Sequence, residues 1–188
     1  MQRARDLVLL KAPFARQATG ALNVDDILRA ALVMAVSALD HFVHEVVRTG
    51  MLEIQAAKRV PTSAFLRFPI ALGKTQVAMS APISTTWLEE AIREAHGWQT
   101  FQHPDKIADA IRLVSGVKLW EEVGKHHGTD ATNVKTTLSA IVDRRNKIAH
   151  EADMDPSFPG QRWPITDLLV QDAIEFLERT ARAVTGVL

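Results

Sequence analysis

Residues 27–39 read ILRAALVMAVSAL, apolar at nearly every position and therefore on nearly every face of a helix. A surface helix carries one apolar stripe, whereas a helix that is apolar all round has to be surrounded by other elements. This stretch predicts the central helix of an all-α bundle. Its start is marked by Asn23-Val24-Asp25-Asp26, with Asn23 as N-cap and two carboxylates in the first turn facing the helix dipole. It turns polar at Asp40-His41-Phe42-Val43-His44-Glu45, and its end is expected near Gly50 or a little beyond Lys58.

Working outward, a second long helix is expected over 132–152, followed by a loop over 154–164 rich in Pro and Gly. Thr166-Asp167 then opens a last helix to about residue 183. The stripe Leu169, Ala173, Phe176, Leu177 and Val184 suits packing of that helix back on the one before it. Between about 59 and 129 the chain is punctuated by Pro61, Pro69, Gly73, Pro82, Gly97, Pro104, Gly116, Gly124 and Gly128. Short helices are expected there over 63–68, 86–96, 104–114 and 118–125. Leu7, Val8, Leu10 and Phe14 suggest a further short helix that ends near Pro13. The expected architecture is a single all-α domain over 1–188, with a long central helix, two long antiparallel C-terminal helices and an irregular middle.

Composition narrows the function. With 188 residues, 47% of them apolar, the chain has material for one sizeable core. Aromatics are only 6% and Tyr is absent, which speaks against an all-β domain. The 22 basic and 22 acidic residues balance, so a nucleic-acid contact has to be a local patch. The absence of Cys removes disulfides, thiolate zinc sites and cysteine nucleophiles together, and fits a reducing compartment. The N-terminus lacks a signal-peptide pattern, and no apolar run approaches the roughly 20 residues of a membrane span. A soluble, cytoplasmic protein with no membrane partner is expected.

Within the second long helix lies Arg144-Arg145-Asn146-Lys147-Ile148-Ala149-His150. Two guanidiniums, an amide and an imidazole within two turns can bind a phosphate, stabilise charge on it and move a proton. At about 100° per residue, Val134, Leu138, Ile141, Ile148 and Ala152 form a core stripe, and Arg145 falls within it. A guanidinium in a core register is costly unless it is paired or reaches an aqueous cleft. The bland alternative is a snorkelling arginine at a helix end and a locally paired histidine. His150 lies about 140° from Arg145, on a polar face with Asp143, Asn146, Ser139 and Thr136. A straight helix thus divides the cluster. A single site using both groups needs the long arginine to curl round, the helix to bend, or a second copy of the helix, which a symmetric homodimer would supply.

Arg145-Asn146-Lys147-Ile148-Ala149-His150, continued by Glu151-Ala152-Asp153, resembles the signature of the HEPN superfamily: an arginine, commonly followed by a polar residue, then a histidine after four to six intervening positions. Both Arg144 and Arg145 fall in that window, and Arg145, directly before Asn146, matches better. The stretch from Leu39 to Glu45 is similar to the second helix of the HEPN branch that includes RNase L and the bacterial anticodon nucleases (RiboL-PSP). The likeness covers the helices around 24–50 and 132–185 and leaves the middle third unaccounted for. It implies a HEPN-like helical bundle that dimerises with two motif helices flanking a cleft. Many such proteins are metal-independent endoribonucleases on single-stranded RNA, including tRNA loops, and act as toxins or in antiphage defence. Others are non-catalytic binding or regulatory modules. An antitoxin or regulatory protein is a further partner this type suggests; no cofactor is implied.

On that reading His150 exchanges protons with the 2′-hydroxyl or the leaving 5′-oxygen, a task suited to imidazole, whose ordinary pKa is about 6.5. Arg145 stabilises the charge that develops on phosphorus, and Asn146 orients His150 or holds a phosphate oxygen. Arg144 and Lys147 would bind flanking phosphates. Asp40, His44 and Glu45 are expected to support Arg145 by pairing with it from the neighbouring helix. A rival reading takes Asp40 with His44, and His41 with Glu45, as helical metal-ligand pairs, but the arrangement occurs once where a di-metal bundle needs it on two helices. His126-His127 reads as a solvated helix end. The loop residues Phe158, Arg162 and Trp163 either stack an unpaired base or, the blander version, pack Trp163 on the bundle.

Overall fold

In the computed structural model, which describes residues 1–19, 23–80 and 84–188, the chain is helical throughout, with no strand among the described residues. The elements are α1 (Gln2–Gln17), α2 (Asp25–Gln55), α3 (Leu72–Ser80), α4 (Thr86–His96), α5 (Pro104–Arg112), α6 (Leu119–His127), α7 (Ala131–His150) and α8 (Asp167–Gly186). A 3₁₀ turn, Phe65–Arg67, lies between α2 and α3.

The all-round apolar stretch does what its composition demands. Leu28, Leu32, Val36, Leu39, Val43 and Val47 of α2 are completely or almost completely buried. Against them pack α1, α4, α5, α7 and α8. Each such Leu or Val contributes about 1.5–3 kcal/mol relative to leaving it in water. By length and composition alone α2 would also pass as a membrane span. The N-cap position falls on Val24, one residue later than expected, and Asn23 accepts the Asp25 N–H at 3.1 Å from just outside the helix. Gly50 is a contact rather than a stop: a Cβ there would stand 2.7 Å from Val114 Cγ1, so the glycine lets the chain after α5 approach and α2 runs on to Gln55.

Three expectations are corrected. The last helix does not lie chiefly on α7; it packs on α2, α6 and α1, burying Val170, Ala173, Ile174, Leu177 and Val184. The loop between them crosses the end of the bundle, and Leu169 ends up exposed. Helix α1 continues through Pro13 to Gln17, with the proline on the exposed side, where a carbonyl left without its helical donor is open to solvent. In the middle third, the helix expected over 63–68 shrinks to the 3₁₀ turn, and α3 forms where the punctuation marks no helix. Helices α4, α5 and α6 fall where the Pro and Gly punctuation places them, and Pro82 lies outside the described residues.

Candidate active site

Helix α7 starts at Asp130, whose carboxylate accepts the Asn133 N–H at 2.8 Å. Val134, Leu138 and Val142 are its buried positions, with Ile141 and Ile148 packed against the core at its edge. Ala152 does not extend the stripe. The helix ends at His150, and Ala152 and Asp153 adopt left-handed backbone, with φ of 51° and 60°. The Asp153 N–H closes the end by donating to the Lys147 carbonyl at 3.0 Å, a Schellman-type bond made without the usual glycine.

That turn drives Asp153 into the interior, where it is 0% exposed. The Arg144 Nη1 and Nη2 atoms lie 2.9 Å from its two oxygens, and Arg29 Nε donates at 2.7 Å. Both guanidiniums also donate to the Trp163 carbonyl, at 3.0 Å from Arg29 and 3.2 Å from Arg144. Burial lowers the Arg144 pKa below its ordinary value, with Asp153 opposing the shift and Arg29 reinforcing it. The expected phosphate-binding role of Arg144 is therefore corrected: its fork is spent on clasping the 153–163 loop to α7. The sequence signal is Arg29, a charge inside an apolar run, which requires a buried counter-ion somewhere.

Arg145 points elsewhere. Its Nη1 donates to Asn146 Oδ1 at 3.0 Å and its Nη2 to Gln102 Oε1. No carboxylate comes within ion-pair distance of it among the described residues, so the expected pairing with Asp40, His44 or Glu45 is also corrected. Asp40 acts one step away, accepting the Phe101 N–H and so fixing the segment that presents Gln102. His44 stacks on Phe101, ring centroids 4.4 Å apart, and lies 3.9 Å from Asp40. Glu45 belongs to a different contact: the Arg48 guanidinium, at 2.8 Å, holds its carboxyl below the usual carboxylate range. Gln102, between the short helices, carries no sequence signal at all.

Beneath Phe101 lies His96, edge-on at 5.2 Å and likewise against Phe68 at 5.6 Å. Burial, helped by the nearby His44, pushes its pKa down to about 4, so it is neutral at pH 7.

His150 is the last helical residue, exposed, and makes no side-chain hydrogen bond to any described residue. Asn146 stands one turn before it on the same face, with Asp143, Ser139 and Thr136 continuing the polar stripe as the periodicity requires. Lys147 Nζ sits 5.1 Å above the Trp163 ring, a cation–π contact on the outside of the loop. Trp163 is thus packed on the bundle; Arg162 pairs with Asp26, and Phe158 is 59% exposed. Among the described residues no group of three His, Asp or Glu gathers as metal ligands. A groove of about 620 Å³ runs beside the motif, lined by Val33, Met34 and Ile148 and also by the charged Asp26, Arg29 and Arg162. A larger cleft of about 710 Å³ opens at the far end of α7, around Lys135 and Lys118.

The family model of RiboL-PSP-HEPN domains matches residues 2–187, and the chain belongs to that family. The match takes in the middle third and α1, which the motif by itself does not reach. No curated protein and no solved structure matches the chain.

Proposed function

Taking the chain as a HEPN-type domain, we propose that it is a metal-independent endoribonuclease that cleaves single-stranded RNA as a two-fold homodimer. The observation that carries this reading is the contrast within the motif. Arg145 is held by two neutral amide oxygens, and His150 stands exposed at the end of the same helix. A guanidinium so held is oriented yet keeps its full charge, which is what a phosphorane needs from its surroundings.

RNA carries its own nucleophile. The 2′-oxygen attacks phosphorus, the P–O5′ bond breaks, and the products are a 2′,3′-cyclic phosphate and a 5′-hydroxyl. His150 of one copy takes the 2′-hydroxyl proton, and His150 of the partner subunit delivers a proton to the leaving 5′-oxygen. Within one copy the backbone positions of Arg145 and His150 are about 140° apart around α7 and about 7.5 Å apart along it. The Arg145 side chain reaches toward the His150 face as far as Asn146, and a second motif helix is proposed to complete the site. The groove beside Ile148 favours a second copy there. Ala30 and Ser37 on the outer face of α2 are exposed and small, and Met34 is apolar and 38% exposed. Asn146, with its amide oxygen taken by Arg145, has its NH2 left for a phosphate oxygen, and Lys147 lies next along the helix for a flanking phosphate.

The test is incubation of the purified protein with end-labelled single-stranded RNA in EDTA. Cleavage to cyclic-phosphate ends is expected, with a loss of at least about 100-fold in His150→Ala. No cleavage by the wild type, or equal cleavage by the variant, ends the proposal.

A further inference from the structure

We infer that Gln102 is the positioning residue of the Arg145 clamp, and that its amide, standing where a carboxylate would neutralise the guanidinium, leaves that charge free for a phosphate. The inference rests on the ribonuclease reading above and specifies how its arginine is kept competent. Gln102 is only 7% exposed, and a polar side chain that deep has to be hydrogen-bonded; its oxygen receives Arg145 Nη2. Its position is set by the preceding residue, whose N–H is bound by Asp40 and whose ring is buried under His44. The Arg145 guanidinium therefore leans on a fixed oxygen 43 residues away in the chain, rather than on its own helix alone.

The adjacent arginine shows what the other choice would produce. Arg144 faces a carboxylate with both Nη atoms, a paired arrangement that satisfies its charge and leaves little for a ligand. Were residue 102 a glutamate, Arg145 would form the same kind of pair, and an incoming phosphate would have to displace it. An amide supplies the same acceptor geometry without the charge.

Two substitutions separate positioning from charge. Gln102→Glu keeps the acceptor and adds a negative charge; Gln102→Ala removes the acceptor. In the wild type the Arg145 Nη hydrogens should give resolved side-chain NMR signals, because the guanidinium cannot rotate freely. Those signals should average in Gln102→Ala and stay resolved in Gln102→Glu. With 2′-fluoro single-stranded RNA, which cannot cleave through its 2′ position, Gln102→Glu should flatten the plot of log affinity against log salt by about 0.7, as expected when one phosphate fewer is neutralised. Gln102→Ala should leave that slope unchanged. For cleavage, kcat should fall about 100-fold in Gln102→Glu and about 10-fold in Gln102→Ala, with unaltered melting temperature in the former. The inference is overturned if Arg145 signals are already averaged in the wild type, or if Gln102→Glu keeps the wild-type salt slope and kcat. A wild type that cleaves no RNA removes the ribonuclease reading instead, while the NMR comparison still decides whether Gln102 holds Arg145.

Discussion

Arg144 and Arg145 are consecutive in the chain, yet they serve two unlike regions of the molecule. Arg144 faces the 153–163 loop, where a fully buried carboxylate binds it together with Arg29. Arg145 faces the 101–102 segment, where its partners are amides; that segment is itself seated by Asp40 on the Phe101 N–H and by packing of the Phe101 ring against His44 and the uncharged His96. The first region is an ionic lock that uses its arginine up; the second is a neutral cradle that leaves its arginine charged. The duty of a motif arginine is decided by what stands opposite it. The helical register separates the two side chains by about 100°, and the rest of the fold assigns their roles.

The most damaging way to probe the contrast is to remove the lock. Asp153→Asn keeps the shape and tolerates the left-handed backbone, but it takes the charged partner from the part-buried Arg144 and leaves the buried Arg29 only the exposed Asp26, so a loss of about 3 kcal/mol is expected in urea unfolding. A loss below about 1 kcal/mol would mean that the two guanidiniums do not depend on a charged partner. The cradle should instead reveal itself through pH. The folded-state pKa of His96, about 4, lies below the ordinary value of 6.5, so the unfolded chain binds the extra proton first as the medium is acidified. The stability tied to the neutral ring is complete above about pH 6.5 and declines down to about pH 4, by about 3 kcal/mol in all. His96→Leu should remove that part of the acid sensitivity in melts at about pH 7 and about pH 4.5, and an unchanged difference between the two pH values would count against the cradle. The smallest effect concerns the turn that aims Asp153. Ala152 sits at φ 51°, where an L side chain is strained, so Ala152→Gly should stabilise the protein by about 0.5–1 kcal/mol after the glycine's greater freedom in the unfolded chain is subtracted. A destabilising result in thermal melts would show that the methyl group has a packing role.

Much of the bundle is legible from local pattern. The apolar run over 27–39, the polar stripe ending in Asn146 and His150, and the helices starting at Thr86, Pro104 and Asp167 all follow from periodicity and punctuation, which depend on near neighbours. The misreadings share a cause as well. Leu169 reads as core in the sequence because periodicity states which residues share a face and not which helix covers that face. Asp40 suggests a partner for Arg145 because opposite charges on neighbouring helices attract, yet it is a backbone N–H that occupies its carboxylate. Asp153 looks like a loop carboxylate until two successive left-handed residues turn it inward.

The helical class, the burial of α2, the family signature and the placing of the motif positions on two faces of one helix follow from the order of residues alone. All of these are set by composition and by a fixed rotation per residue. Which arginine meets a carboxylate and which meets amides emerges from the folded molecule. Gln102, Asp153 and Arg29 come to the motif from other parts of the fold, and the charge state of a site depends on groups brought together in space rather than on those adjacent in sequence.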